Sequence, residues 1–494
     1  MTDFTDLESL EQKRLCYGCV GEKYLTDEIR SKGKHGQCSY CGKLKNCYTI
    51  GEMAKRIDEV FGEHYRRTAD QPDDWQTAML ADNESNYIWV RDGEPVVDAI
   101  MNAAEIPEAA AQDIQEVVDG EYSDFEAGKL GEETEFSSDT YYEEKGASDA
   151  NWQEAWQSFE QSLKTQARFF SAIAAKYLSS IFDGIESMQT RGGRPLVVEA
   201  GPGMTLDSLY RARAFQSDDN LKAALCRPDQ HLGSPPSSLA RAGRMNAHGI
   251  SVFYGANDPR VALAEIRPPV GSQVAVARFE ITRPIKLLDL TALSDVSSGG
   301  SIFDPSFAAR LERDMFLRSL SKRITRPIMP DDEAFEYLST QAIADFLATE
   351  AGVPLDGIIF PSVQFGGDAL NVVLFHKASG VEGLEIPAGT EISSRLGEED
   401  EEEGWVTEYT VIEEVPVKEE EPSAQSLVGT ARPNLSRLAA IPWEPVDGDW
   451  ADWRPTTLRF VTDSLKIHIV RKVEFSSEEH QVYRHRWANR KLPF

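Results

Sequence analysis

Four cysteines near the start of the chain have the spacing of a metal site. Cys16 and Cys19 form one CxxC turn, and Cys38 and Cys41 form a second after eighteen intervening residues. A CxxC turn aims two thiolates at one point, and two such turns close a tetrahedron around Zn²⁺. A redox CxxC needs no second, matching pair. Four thiolates leave no coordination position open for water, so the predicted site is structural and not catalytic. His35 and Cys47 lie near enough in sequence to substitute for one ligand. In so short a segment a metal replaces a core that the segment cannot build.

A second concentration of chemistry lies between residues 207 and 376. In NDPRVALAEIRP, Asp258 predicts a helix N-cap and Pro259 the first helical position, with Ala262, Leu263 and Ile266 facing inward. Glu265 then falls two turns in, near the apolar face, where a carboxylate is unusual. Neither a G-x-S-x-G elbow nor a G-x-x-x-x-G-K-[ST] loop is present, and GRPLVVEAGPG (193–203) lacks the lysine a phosphate loop needs.

The surrounding pattern is mixed α and β. LYRARAF (209–215), SVFYGA (251–256), QVAVARFEI (273–281) and IKLLDL (285–290) predict strands. DGIIFPSV (356–363) and NVVLFH (371–376) predict a closing strand pair, their apolar runs suiting burial. Helices are expected over 303–322 and 331–350, the second with Phe335, Leu338, Ala342 and Phe346 on one face.

GRMNAHGISVFYGANDPRVALAE (243–265) resembles the signature of the RES domain family, and the resemblance covers most of 207–376. The matching residues are Arg244, Tyr254, Glu265 and Ser362, the last in FPSVQFGGDALNVVLF. Arg211 falls on the family's opening strand, and Asn371 begins its last motif strand. Met245 stands where a tryptophan is usual, which alters packing beside Arg244 more than chemistry. The resemblance implies an ADP-ribosyltransferase-like fold and cleavage of NAD⁺ at its nicotinamide–ribose bond. The CxxC knuckles and the aromatic helix after them resemble the HEPN/RES N-terminal domain.

These residue types suit that chemistry. A guanidinium grips a diphosphate through its fork, which is the role expected of Arg244 and Arg211. An aromatic ring such as Tyr254 attracts the cationic nicotinamide. Cleavage leaves positive charge on the anomeric carbon, which the carboxylate of Glu265 would stabilise. Ser362 would hydrogen-bond the carboxamide or a phosphate, and it has no adjacent base to make it a nucleophile. Asn371 completes the NAD-binding set. Water as acceptor gives ADP-ribose, inorganic phosphate gives ADP-ribose 1″-phosphate, and a protein side chain gives mono-ADP-ribosylation. Loss of NAD⁺ stops growth, so the resemblance implies a toxin or defence effector. It would be restrained by an antitoxin or immunity protein, or by the appended N-terminal region. The competing non-enzymatic reading is a zinc-module interaction protein.

The rest of the chain frames these two segments. Its 494 residues suggest about three domains. The expected class is α+β, with a small zinc-ribbon-like module (1–50), a helical region with an acidic linker (51–192), the RES domain (193–380) and an acidic, strand-rich tail (381–494). Helices are expected over 51–67, over 96–118 with a break at Pro107, and over 151–186. The last carries Trp152, Trp156, Phe159, Leu163, Phe170, Ile173, Tyr177 and Ile181 at helical spacing, which reads as a helix–helix interface. Residues 120–148 are acidic and poor in aliphatics, and read as a linker. Short strands are expected in EGWVTEYTVIEEVPV and LKIHIVRKVEF. PWEPVDGDWADW, rich in tryptophan, reads as packing or interaction surface. A net charge of −31 disfavours a nucleic-acid partner. The lack of a signal-like start or a long apolar run predicts a cytoplasmic protein without a membrane span.

Overall fold

A computed structural model describes residues 4–82, 86–122, 133–169, 171–365, 368–400, 404–416, 454–474 and 477–486. The chain divides into two compact units, one of residues 1–196 with 292–324 and one of 197–291 with 325–494.

In the first unit the cysteine segment forms a three-stranded antiparallel sheet. Strand Leu44–Thr49 lies between Arg14–Cys16 and Lys34–Gln37. The chain then enters helix Ile50–His64 through a capping box, in which Thr49 accepts from Glu52 N–H and Glu52 accepts from Thr49 N–H. Met53, Ile57, Val60, Phe61 and Tyr65 are all buried, as their spacing predicts. They share one core with Leu15, Val20, Leu25 and Ile29 of the cysteine segment and with helices Val96–Ala104 and Glu108–Tyr122. The short segment therefore borrows a core from its neighbours instead of relying on metal alone, which corrects the expectation above. The break between those two helices falls as expected, with Glu105 in the left-handed region at φ 50° and Pro107 beyond it.

Two further expectations change here. Residues 133–147 of the acidic linker are built into the unit. Tyr141–Glu144 is the middle strand of a three-stranded sheet, Phe136 and Tyr142 are buried against Phe61, and Glu133 pairs with Arg91 at 2.6 Å. Its few aromatic residues outweigh its many acids. The single helix expected over 151–186 is two, Ala150–Thr165 and Ala172–Phe182, the second capped by Ser171. Folding back brings Tyr177 against Trp152 and Phe159, and Phe316 packs against Trp152, Trp156 and Tyr177. Ile173 faces solvent. Phe170 lies outside the described residues.

The second unit is built on one mixed ten-stranded sheet. Its order is Gly380–Val381, Thr456–Phe460, Gln273–Ile281, Ser208–Phe215, Phe253–Ala256, Leu370–Leu374, Gly357–Pro361, Ile285–Asp289 and Val197–Ala200, with Lys466–Ile469 also on Gln273–Ile281. The expected closing pair is present as an antiparallel pairing of Gly357–Pro361 with Leu370–Leu374. Most neighbours are antiparallel, but Ile285–Asp289 runs parallel to Gly357–Pro361. Helix Phe307–Thr325, which belongs almost wholly to the first unit, begins and ends a few residues later than expected. The two strands nearest the end of the chain are part of this sheet, with Leu458 and Phe460 in its core. The tail is thus structurally continuous with the domain before it. Trp443, Trp450 and Trp453 lie outside the described residues. No helix among the described residues is long and apolar enough to cross a membrane.

Candidate active site

Glu265 is the last residue of helix Pro259–Glu265, which Asp258 caps by accepting from Arg260 N–H. An acid in the final turn opposes the helix dipole, so helix stability does not explain it. Its Oε1 accepts a 2.5 Å hydrogen bond from Ser362 Oγ. Ser362 is 3% exposed, at the end of strand Gly357–Pro361, and its hydroxyl also accepts from Gln364 N–H at 3.3 Å. The carboxylate is thereby fixed from outside its own helix. The exit of that helix is held in the left-handed region by Arg267, at φ 44°.

Arg244 lies in the tight loop Gly243–Asn246, and three elements hold that loop. From strand Phe253–Ala256, Tyr254 Oη donates to Asn246 Oδ1 at 3.0 Å and accepts from Met245 N–H at 3.2 Å. From helix Glu333–Thr349, Thr340 Oγ1 donates to the Arg244 carbonyl at 2.6 Å and Gln341 Nε2 to the Gly243 carbonyl at 2.8 Å. Between the two helices, the Arg326 carbonyl accepts from the Arg244 guanidinium at 2.9 Å, and that guanidinium lies 5.1 Å from the centre of the Tyr337 ring. Gly243 is required by close approach, since a Cβ there would sit 2.7 Å from Tyr254 Oη. Burial pushes the Tyr254 hydroxyl up to about 12, so it stays a neutral donor at physiological pH.

Arg211 projects from the central strand Ser208–Phe215. Its guanidinium lies 4.9 Å from the centre of the Phe253 ring and reaches the Tyr254 carbonyl at 3.5 Å. It forms no ion pair among the described residues, and burial, with Arg213 adding, pushes it down to about 10. Asn371, in strand Leu370–Leu374, is 6% exposed, and its side-chain amide has no hydrogen bond among the described residues.

Arg211, Arg244, Tyr254, Glu265 and Asn371 line a single cavity of about 590 Å³ within the second unit. Ser362 stands behind Glu265 and does not line it. Six residues named from the sequence thus converge: cations and an amide that can hold an anionic, hydrogen-bonding ligand, and one oriented carboxylate. The sequence reading missed Tyr337, Thr340 and Gln341. The buried residues of their helix include Ser339, Thr340, Ile343, Ala344, Phe346 and Leu347, while Phe335 is exposed. The expected face was drawn from apolar spacing alone, and two polar residues that hold the arginine loop gave no apolar signal.

The four cysteines of the first unit converge as well. Their sulfur atoms all lie within 4.8 Å of one another, with Cys16–Cys19 at 3.7 Å, Cys16–Cys41 at 3.6 Å and Cys19–Cys38 at 3.9 Å. Ligands 2.3 Å from a tetrahedral centre stand about 3.8 Å apart, so the set fits a metal ion. Burial pushes the Cys16 and Cys19 thiols up, while a hydrogen bond from the Lys43 backbone holds Cys41 down at about 7. A bound cation would reverse the burial penalty. Cys47 turns its thiol to the Gly36 and Lys45 carbonyls, and among the described residues the converging group is the four cysteines without Cys47 or His35.

No curated protein and no solved structure matches the chain. A family model does match over residues 209–393, that of the RES domain, a family associated with NAD-related toxin and effector functions.

Proposed function

We propose that the RES domain of this chain cleaves the nicotinamide–ribose bond of NAD⁺, as a glycohydrolase or phosphorylase, on an ADP-ribosyltransferase-like fold. The observation that carries the reading is one cavity in which Arg211, Arg244, Tyr254 and Asn371 surround a carboxylate, Glu265, that Ser362 orients. The arginines hold the pyrophosphate, and Asn371 and the Tyr254 ring accept the nicotinamide end. As the C–N bond breaks, its electron pair leaves with neutral nicotinamide, and the anomeric carbon becomes cationic. A carboxylate already fixed beside that carbon stabilises the charge without reorganising. Water then adds to give ADP-ribose and a proton, or inorganic phosphate adds to give ADP-ribose 1″-phosphate.

Depletion of NAD⁺ makes the protein a toxin or defence effector, with an antitoxin or immunity protein as restraining partner. The four thiolates hold structural Zn²⁺, which soft sulfur ligands in a closed tetrahedron favour. The test is to incubate purified protein with NAD⁺, with and without phosphate, and identify products by mass spectrometry. Free nicotinamide with ADP-ribose, or with its 1″-phosphate, supports the reading and names the acceptor. Label carried onto a protein target points instead to a mono-ADP-ribosyltransferase. No nicotinamide release under any of these conditions sinks it.

A further inference from the structure

A second cavity, of about 970 Å³, shares Arg211, Ala212 and Tyr254 with the first as common wall. The loop that carries Arg244 divides them: Ala242, Gly243 and Arg244 face the first cavity, and Arg241 and Asn246 face the second. Strand Ser208–Phe215 runs along both. Arg211 and Arg213, two residues apart, project on one side of it, and both line the second cavity.

The charge of this second space is one-sided. Arg211, Arg213 and Arg241 line it, and among the described residues no aspartate or glutamate does. None of the three arginines forms an ion pair among the described residues. Arg213 donates to the His231 carbonyl at 2.6 Å, which leaves most of its fork unused. The remaining polar lining includes the amides of Gln216, Asn220 and Gln230. In a chain of net charge −31, three arginines gathered without a carboxylate are a local reversal of sign. Burial chiefly, with repulsion from Arg213 adding, weakens the hold of Arg211 on its proton and destabilises the empty arrangement. An anion in their midst removes that cost.

We propose that this second cavity is a phosphate-binding subsite, with Arg213 and Arg241 as its own ligands and Arg211 shared with the first cavity. The phosphate can belong to the far half of the same dinucleotide, lying across both cavities, or be a free inorganic phosphate beside the reacting sugar. The inference deepens the NAD⁺ reading, but binding of a phosphate here is measurable whether or not the domain cleaves anything.

The experiment compares the full-length protein with an Arg213→Gln/Arg241→Gln double variant by calorimetry. The probes are ADP-ribose, inorganic phosphate and nicotinamide riboside, which lacks a phosphate. The expected result is a loss of about tenfold or more in affinity for a phosphate probe, with nicotinamide riboside unchanged. Loss confined to ADP-ribose identifies the far half of the dinucleotide as the occupant, and loss confined to inorganic phosphate identifies the free ion. An Arg213→Lys/Arg241→Lys variant should retain most of the binding and shows that charge, not packing, is responsible. Unchanged affinity for both phosphate probes overturns the proposal, as does an equal loss of nicotinamide riboside. Because the readout is binding, its failure is distinct from absence of nicotinamide release, which would sink the cleavage reading alone.

Discussion

The cysteine cluster and the arginine-lined cavity are both convergent sites, but they are finished differently. The four thiols stand within 4.8 Å of one another and would satisfy a tetrahedral ion without help from solvent or ligand. The cavity keeps its groups apart. Among the described residues Arg211 has no ion pair and the Asn371 amide no hydrogen bond, and Glu265 is held through one oxygen. A site saturated by its own chain stabilises, whereas a site that leaves oriented polar groups unmet is built to receive something. That contrast separates structural from chemical function here better than residue type does.

The largest expected effect tests the chemical side. Glu265→Gln should lower nicotinamide release by about a hundredfold or more, while the melting temperature stays within a degree or two of the parent. Full activity in that variant would move the chemistry to another residue. The structural side should answer in the opposite way. Cys16→Ser, or removal of metal by a chelator, should cut bound zinc from one ion per chain and lower the melting temperature by several degrees. Cleavage per folded molecule should be retained, and a variant that loses activity without losing stability would erase the distinction between the two sites.

Smaller effects sharpen the account of the cavity. Ser362→Ala removes a hydrogen bond to a charged group, of about 1.5–3 kcal/mol, and should reduce kcat by roughly tenfold to a hundredfold with KM little changed. Partial recovery in Ser362→Thr would mark orientation of Glu265 as the cause. Gly243→Ala should raise KM by several-fold through displacement of Arg244, because the new Cβ meets both Tyr254 Oη and Asn246 Oδ1 below 3 Å. Equal activity of Gly243→Ala and parent would show that the loop has slack the geometry does not suggest.

Much of this arrangement is legible in the sequence where the signal is local. Asp258 and Pro259 announce the helix that carries Glu265, and the doubled CxxC announces the thiol cluster. Ser362 and Asn371 carry no local signal and are found only through the motif that surrounds them. What the sequence hides depends on distance or on polar packing. Thr340 and Gln341 hold the arginine loop from a helix about a hundred residues away, and neither is apolar. Residues 133–147 look like a solvated linker because acids dominate the count, yet Phe136 and Tyr142 decide where the segment goes. The apolar stripe over 151–186 is real, but periodicity does not reveal a chain that doubles back on itself.

The strands Thr456–Phe460 and Lys466–Ile469 have a consequence for how the protein is made. Both pair with Gln273–Ile281, a long interior strand whose other neighbour is already in place. During synthesis that edge must wait, bare and hydrogen-bond hungry, until the ribosome has delivered more than the whole intervening stretch at about 5–20 residues per second. An exposed edge of this length invites pairing with other nascent chains. Anyone expressing the domain as a fragment cut at its family boundary should therefore expect precipitate, and the remedy is to carry the late strands along.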